Sequence, residues 1–176
     1  MVKSFALIAV AIIGCVLLFA SSKPATFQVK RSIRIKASPE DVFVLINDFH
    51  NWDGWSPWTQ KDPAMKIVHS GARSGMGAVY EWVGNRDVSS GRMEIIDMSP
   101  LSKIIIQLDI AEPFAAHNNV VEFSLEPIDD RVETTWRTHG PMSFIAKSFS
   151  LFSNMDTMFG PDFESGLENL KALAEQ

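Results

Sequence analysis

The sequence predicts an α+β domain in which a curved antiparallel sheet is covered by one long C-terminal helix. Two observations carry this. From residue 26 to residue 139, apolar side chains recur at every second position in short runs separated by Gly, Pro, Asn and Asp, the period and punctuation of half-buried strands. Near the C-terminus the period changes: Phe163, Leu167, Leu170 and Ala174 recur at i, i+4, i+7 and i+11, widened by Gly166 and Leu173, which makes an amphipathic helix ending near Glu175. A sheet with one apolar face must bury it, and this helix is the element long enough to do so.

The elements follow in order. Residues 26–36 alternate, with Phe27, Val29, Ile33 and Ile35 on one face and Arg31 as the only charge among them. Ser38-Pro39-Glu40-Asp41 is a helix start: a capping serine, a proline at the first helical position, and an acid placed for a capping box. Residues 51–58, with Trp52, Trp55 and Trp58, form a loop or short helix. Strands are expected at 64–70, 78–83, 91–97, 103–110, 118–126 and 131–139, with one polar and one covered face. Helical character is also expected at 143–158, and Gly160-Pro161 is expected to break, kink or restart the helix there.

Residues 5–20 are apolar throughout apart from Gly14, and Ser21, Ser22, Lys23 and Pro24 follow. The run is near the lower length limit of a membrane span, about 17–25 residues. Residues 1–24 are therefore expected to be an N-terminal transmembrane anchor, with a cleaved secretory signal as the alternative. Residues 25–176 form the folded domain.

Composition narrows the function. The net charge of −5 does not suit a phosphate backbone, so no nucleic-acid partner is expected. The one cysteine, Cys15, lies in the apolar run, so the domain has no thiol chemistry or disulfide of its own. His50, His69, His117 and His139 lack the spacing of a zinc site. Gly71, Gly75 and Gly77 precede a strand rather than a helix, which favours a hairpin over a phosphate cradle. No metal and no cofactor are expected.

Four stretches together resemble the SRPBCC superfamily of START-like and pollen-allergen-like helix-grip proteins, and most nearly its bacterial polyketide cyclase/dehydrase-like branch. They are 29–43, with Ala37-Ser38-Pro39-Glu40-Asp41; Trp52-Asp53-Gly54-Trp55-Ser56-Pro57-Trp58, followed by Asp62-Pro63; Gly75-Met76-Gly77-Ala78-Val79-Tyr80-Glu81-Trp82, with Gly84-Asn85 and Gly91-Arg92-Met93; and residues 160–171 from Gly160-Pro161-Asp162-Phe163 onward. The resemblance implies a ligand cavity between sheet and terminal helix. It brings no catalytic residue with it.

The aromatic set is the strongest chemical feature. Trp55, Trp58, Tyr80, Trp82, Met93, Phe123, Trp136, Phe163, Gly166 and Leu167 are the expected lining of that cavity, although such rings can equally fill a core. Arg31 and His117 are the expected polar helpers. The expected function is binding of a hydrophobic small molecule or lipid close to a membrane. The alternatives are a cyclase or dehydratase acting on an aromatic or polyketide-like substrate, with Tyr80 as a further polar helper, and a closed-core interaction or stress protein.

Overall fold

The computed structural model describes residues 25–111, 116–142 and 154–176. The chain runs β1 (Thr26–Ile35), α1 (Pro39–Asn47), a 3-10 helix (Phe49–Gly54), α2 (Pro57–Lys61), β2 (Lys66–Gly71), β3 (Ala78–Val83), β4 (Ser90–Ser99), β5 (Lys103–Ile110), β6 (Ala116–Ile128), β7 (Arg131–Pro141) and α3 (Met155–Ala174). Each strand expected from the alternation is present, with ends shifted by a few residues. The strands form one seven-stranded antiparallel sheet in the order β1-β7-β6-β5-β4-β3-β2. Register shifts at Ile95/Asp97 and Leu108/Ile110 are the kind of irregularity that bends and twists a sheet. The helix-grip arrangement expected from the resemblance is the one observed.

Local chemistry sets the helix ends. Ser38 caps α1: its Oγ accepts the Asp41 backbone N–H at 3.1 Å and donates to Asp41 Oδ2 at 2.8 Å. Asn154 caps α3 by accepting the Thr157 N–H at 2.6 Å. The expectation of a break at Gly160-Pro161 is corrected, because α3 continues through Pro161 as one helix. Proline removes one backbone donor, but the helix is tied to β1 on both sides of it. Arg31 donates from Nη1 to Asp156 Oδ1 at 2.6 Å and from Nε to Glu164 Oε1 at 2.6 Å. A side chain at position 160 would collide with this guanidinium, so the glycine lets Arg31 lie across the helix. Residues 143–153 of the expected 143–158 helix lie outside the described residues.

The anchor expected at 1–24 also lies outside the described residues, and among those described no helix is long and apolar enough to cross a membrane.

Candidate functional site

The inner face of the sheet is read off the register. Tyr80 of β3 pairs with Met93 of β4, Met93 with Leu108 of β5, and Leu108 with Asn119 of β6. One row further along, Ile95 pairs with Ile106, Ile106 with Val121, Val121 with Thr138, and Thr138 with Val29. Next come Ile104, Phe123, Trp136 and Arg31. As the alternation requires, all of these point to the side that α3 covers.

The tryptophan segment is drawn into this space by α1. The last carbonyls of a helix have no partner within it, and here two indoles supply one. Trp55 Nε1 donates to Leu45 O at 3.0 Å and Trp52 Nε1 to Ile46 O at 2.9 Å. The rings then meet the sheet. Trp52 and Trp55 lie with ring centroids 6.1 and 6.0 Å from Phe123, both edge to face. Trp55 meets Trp136 edge to face at 5.7 Å, and Trp136 stacks on Phe163 of α3 at 4.3 Å. Phe49 and Tyr80 extend the cluster at one side. These spacings are ordinary ring contacts, 4.5–7 Å or slightly closer.

The residues expected to line a cavity therefore divide. Trp55, Tyr80, Met93, Phe123, Trp136, Phe163, Gly166 and Leu167 are buried and belong to one packed core. Gly166 is part of this closeness, since a Cβ there would lie 2.8 Å from Trp136 Cζ3 and 3.1 Å from Pro57 Cδ. Trp58 and Trp82 are only partly buried. Trp82 lies against Gly91 of β4 and donates to Val88 O at 3.3 Å, while Trp58 meets the edges of Trp136 and Phe163.

Phe27, Leu108, Met155 and Phe159 are likewise apolar and partly exposed. Phe27, Trp82 and Leu108 lie on the inner face at one end of the sheet, where β1 begins and β3 and β5 end. Met155 and Phe159 belong to the first turns of α3, which Arg31 ties to β1. The inner face is thus filled in its middle and partly uncovered at this end, and Ile33, Leu45, Leu173 and Ala174 are likewise only partly buried towards the other. Two hollows among the described residues lie elsewhere. One of about 100 Å³ lies beside Arg31, Glu164 and Leu167, and one of about 360 Å³ between α1 and the end of α3, beside Val44 and Leu173.

The polar candidates are not brought together. Arg31 is engaged by Asp156 and Glu164. His117 is exposed at the start of β6, 3.7 Å from Asp109. The Tyr80 hydroxyl is pushed well above its ordinary value, by burial first and by the Asp53 charge second, so near neutral pH it carries its proton and can act only as a neutral group. Sequence reasoning missed three inner-face side chains. Trp52 is 2% exposed and contacts four other rings. Asn119 and Thr138 are buried polar residues at the partly uncovered end. Asn119 and Thr138 were in phase with the strand neighbours Val121 and Trp136, whereas Trp52 lies outside the strands, where no alternation marks a face. Among the described residues no group of three or more His, Cys, Asp or Glu side chains converges as a metal site would.

This architecture is shared with solved structures of low sequence identity. The chain is similar to a hypothetical protein from Helicobacter pylori (TM-score 0.63, 11% identity, 84% of this chain and 88% of that one). It is also similar to the Aha1 dimer from Colwellia psychrerythraea (TM-score 0.57, 18% identity, 85% and 96%). A third is the di-domain ARO/CYC StfQ of the steffimycin biosynthetic pathway (TM-score 0.61, 11% identity, 86% of this chain); the chain spans 52% of that protein. No curated protein matches by sequence. Residues 26–175 match the family model described as polyketide cyclase / dehydrase and lipid transport. That match runs from the first residue of β1 to just past the end of α3, and the chain belongs to this family, within the helix-grip superfamily that its motifs resemble.

Proposed function

We propose that the protein binds a hydrophobic small molecule or lipid at the partly uncovered end of the sheet's inner face, close to a membrane to which residues 1–24 tether it. One observation carries the reading. Trp58, Trp82, Leu108, Phe27 and Phe159 offer apolar surface beside a packed core without being sealed by it. Ligand sites are mostly apolar surfaces with a few polar groups, and partly uncovered apolar side chains beside a core offer such a surface. The family's description, which includes lipid transport, supports the same class of ligand.

The site so read is a shallow end rather than a chamber running between sheet and helix. The test is photolabelling of the full-length protein in phospholipid nanodiscs with a dodecyl diazirine, followed by peptide mapping. Saturable labelling of the segments carrying Trp58 and Trp82, competed by unlabelled dodecanol, is the expected result. The packed ring cluster favours a second reading, an interaction protein whose inner face is only a core. Labelling that never saturates, or that is spread evenly over the surface, would favour that reading instead.

A further inference from the structure

We infer that the end of the domain formed by the start of β1, the end of β3 and the first turns of α3 docks on the surface of a phospholipid bilayer. This rests on the tether in the reading above and not on its ligand. The antiparallel order brings the start of β1, the ends of β3, β5 and β7 and the starts of β2, β4 and β6 to the same end of the sheet. Arg31 of β1 holds Asp156 and Glu164, and the Lys36 N–H donates to Glu175, so α3 begins at this end and runs away from it.

The side chains here suit a bilayer interface. Phe27, Trp82 and Phe159 are partly exposed rings. Met155, Met158 and Phe159 fall at i, i+3 and i+4, on one side of the first turns of α3. Met158 is 55% exposed and Val83, the last residue of β3, is 63% exposed. Apolar side chains are uncovered at the opposite end too, at Met76 and Leu101. The partly buried Ile33, Leu45, Leu173 and Ala174 there carry no ring, however. Aromatic side chains are the ones that favour the boundary between water and lipid.

The chain itself selects the same end. Only Ser21 to Ala25 separate the apolar run from the first residue of β1, a stretch that reaches at most about 18 Å when fully extended. A ten-residue strand such as β4 is about 33 Å long, so the tether keeps the aromatic end near the membrane and leaves the other free to stand away. Charge adds little. Lys66 and Arg86 at this end are accompanied by Asp87 and Asp109, and Arg31 is already taken by Asp156 and Glu164. The contact is therefore apolar burial, and it needs no anionic lipid. A ligand would then pass between bilayer and inner face without crossing water.

The experiment uses the full-length protein with 13C-methyl methionine in phosphatidylcholine nanodiscs that carry a gadolinium-chelate lipid, with no ligand added. Met155 and Met158 lie at the aromatic end, Met76 and Met98 at the other. Relaxation of the first pair should be enhanced at least about tenfold more than that of the second, given ends about 33 Å apart. The difference should persist when about ten Gly and Ser residues, a flexible spacer, are inserted between Pro24 and Ala25. It should shrink several-fold when Val83→Asp and Met158→Asp are added to that spacer protein, read at Met155. Equal enhancement at both ends, or a larger one at Met76 and Met98, would overturn the docking. A difference that vanishes with the spacer alone would show that the short tether, and not the apolar end, sets the proximity, and would overturn it as well. Failure of the protein to co-elute with nanodiscs would remove the tether and this inference with it. Because no ligand is present, a failure of saturable photolabelling would strike the binding reading and leave this result standing.

Discussion

Trp136 of β7 and Phe163 of α3 lie face to face, with ring centroids 4.3 Å apart and planes 13° from parallel. This pair fastens the terminal helix to the middle of the sheet. Trp55 and Trp58 close on Trp136 edge-on, at 5.7 and 5.5 Å. The space that a ligand would occupy in an open helix-grip protein is taken here by rings. Phe163→Ala should accordingly lower unfolding free energy by about 3–5 kcal/mol, the usual cost of deleting a buried aromatic ring. Urea denaturation measures it. A loss below about 1 kcal/mol would mean the pair is loosely held.

Two glycines of α3 make a controlled contrast. Alanine in a helix interior is favoured over glycine by about 1 kcal/mol. At Gly166 the new methyl would meet Trp136 Cζ3 at 2.8 Å, inside a ring cluster with nowhere to move. Gly166→Ala should therefore destabilise the protein by about 1–3 kcal/mol, as overpacking does. At Gly160 the obstacle is the end of the Arg31 side chain, which is long and can swing into solvent. Gly160→Ala should change stability by less than about 1 kcal/mol, because the helix gain offsets the displaced ion pair. The two denaturation curves, measured side by side, check the difference.

Acid should weaken the fold through three carboxylates. The Arg31 hydrogen bond holds Asp156 below its ordinary value, and the Lys36 backbone N–H does the same for Glu175. For Asp48, burial pushes upward, but the backbone N–H and ring of His50, with the Arg73 charge, outweigh it. A carboxyl group whose folded value is depressed adds stability above its unfolded value, and that stability is lost as pH falls through the folded one. The thermal midpoint should therefore be insensitive to these groups above about pH 5 and fall below about pH 4, the ordinary carboxylate range. Asp156→Asn should make the acid-side slope shallower.

Stability and binding should separate at two tryptophans of the same loop. Trp55 is fully buried and its indole N–H is bonded to Leu45 O, so Trp55→Ala should cost about 3–5 kcal/mol. Trp58 is only partly buried. Trp58→Ala should cost clearly less stability yet reduce saturable probe labelling several-fold. Thermal unfolding and photolabelling on the same samples distinguish the two effects.

Much of the architecture was legible in the chain. Alternation located every strand of the sheet, and Ser38 marked the start of α1. The aromatic set was identified as inward-facing, but whether it lined or filled a space was not legible. That depends on the carbonyls of Leu45 and Ile46 pulling Trp55 and Trp52 inward, a contact that no periodicity encodes. Arg31 stood out as a charge on an apolar face. Its partners Asp156 and Glu164 lie more than a hundred residues away, so its engagement could not be read locally. Pro161 suggested a break because proline removes a donor, while the ties on both sides of it are tertiary. Asn119 was in phase with Val121 and Phe123, but a polar residue at a strand's beginning looks like part of a turn.

The five tryptophans, at 52, 55, 58, 82 and 136, give five indole N–H resonances, and they sample the filled middle of the inner face as well as its partly uncovered end. A 15N spectrum of the full-length protein in nanodiscs, titrated with dodecanol against empty nanodiscs, would read them together. Binding at the uncovered end should shift the Trp58 and Trp82 signals saturably and leave those of Trp52, Trp55 and Trp136 in place. Saturable movement of Trp55 and Trp136 instead would show that the ring cluster opens to form a central chamber, and a spectrum in which no indole moves would mean that this face holds no such ligand.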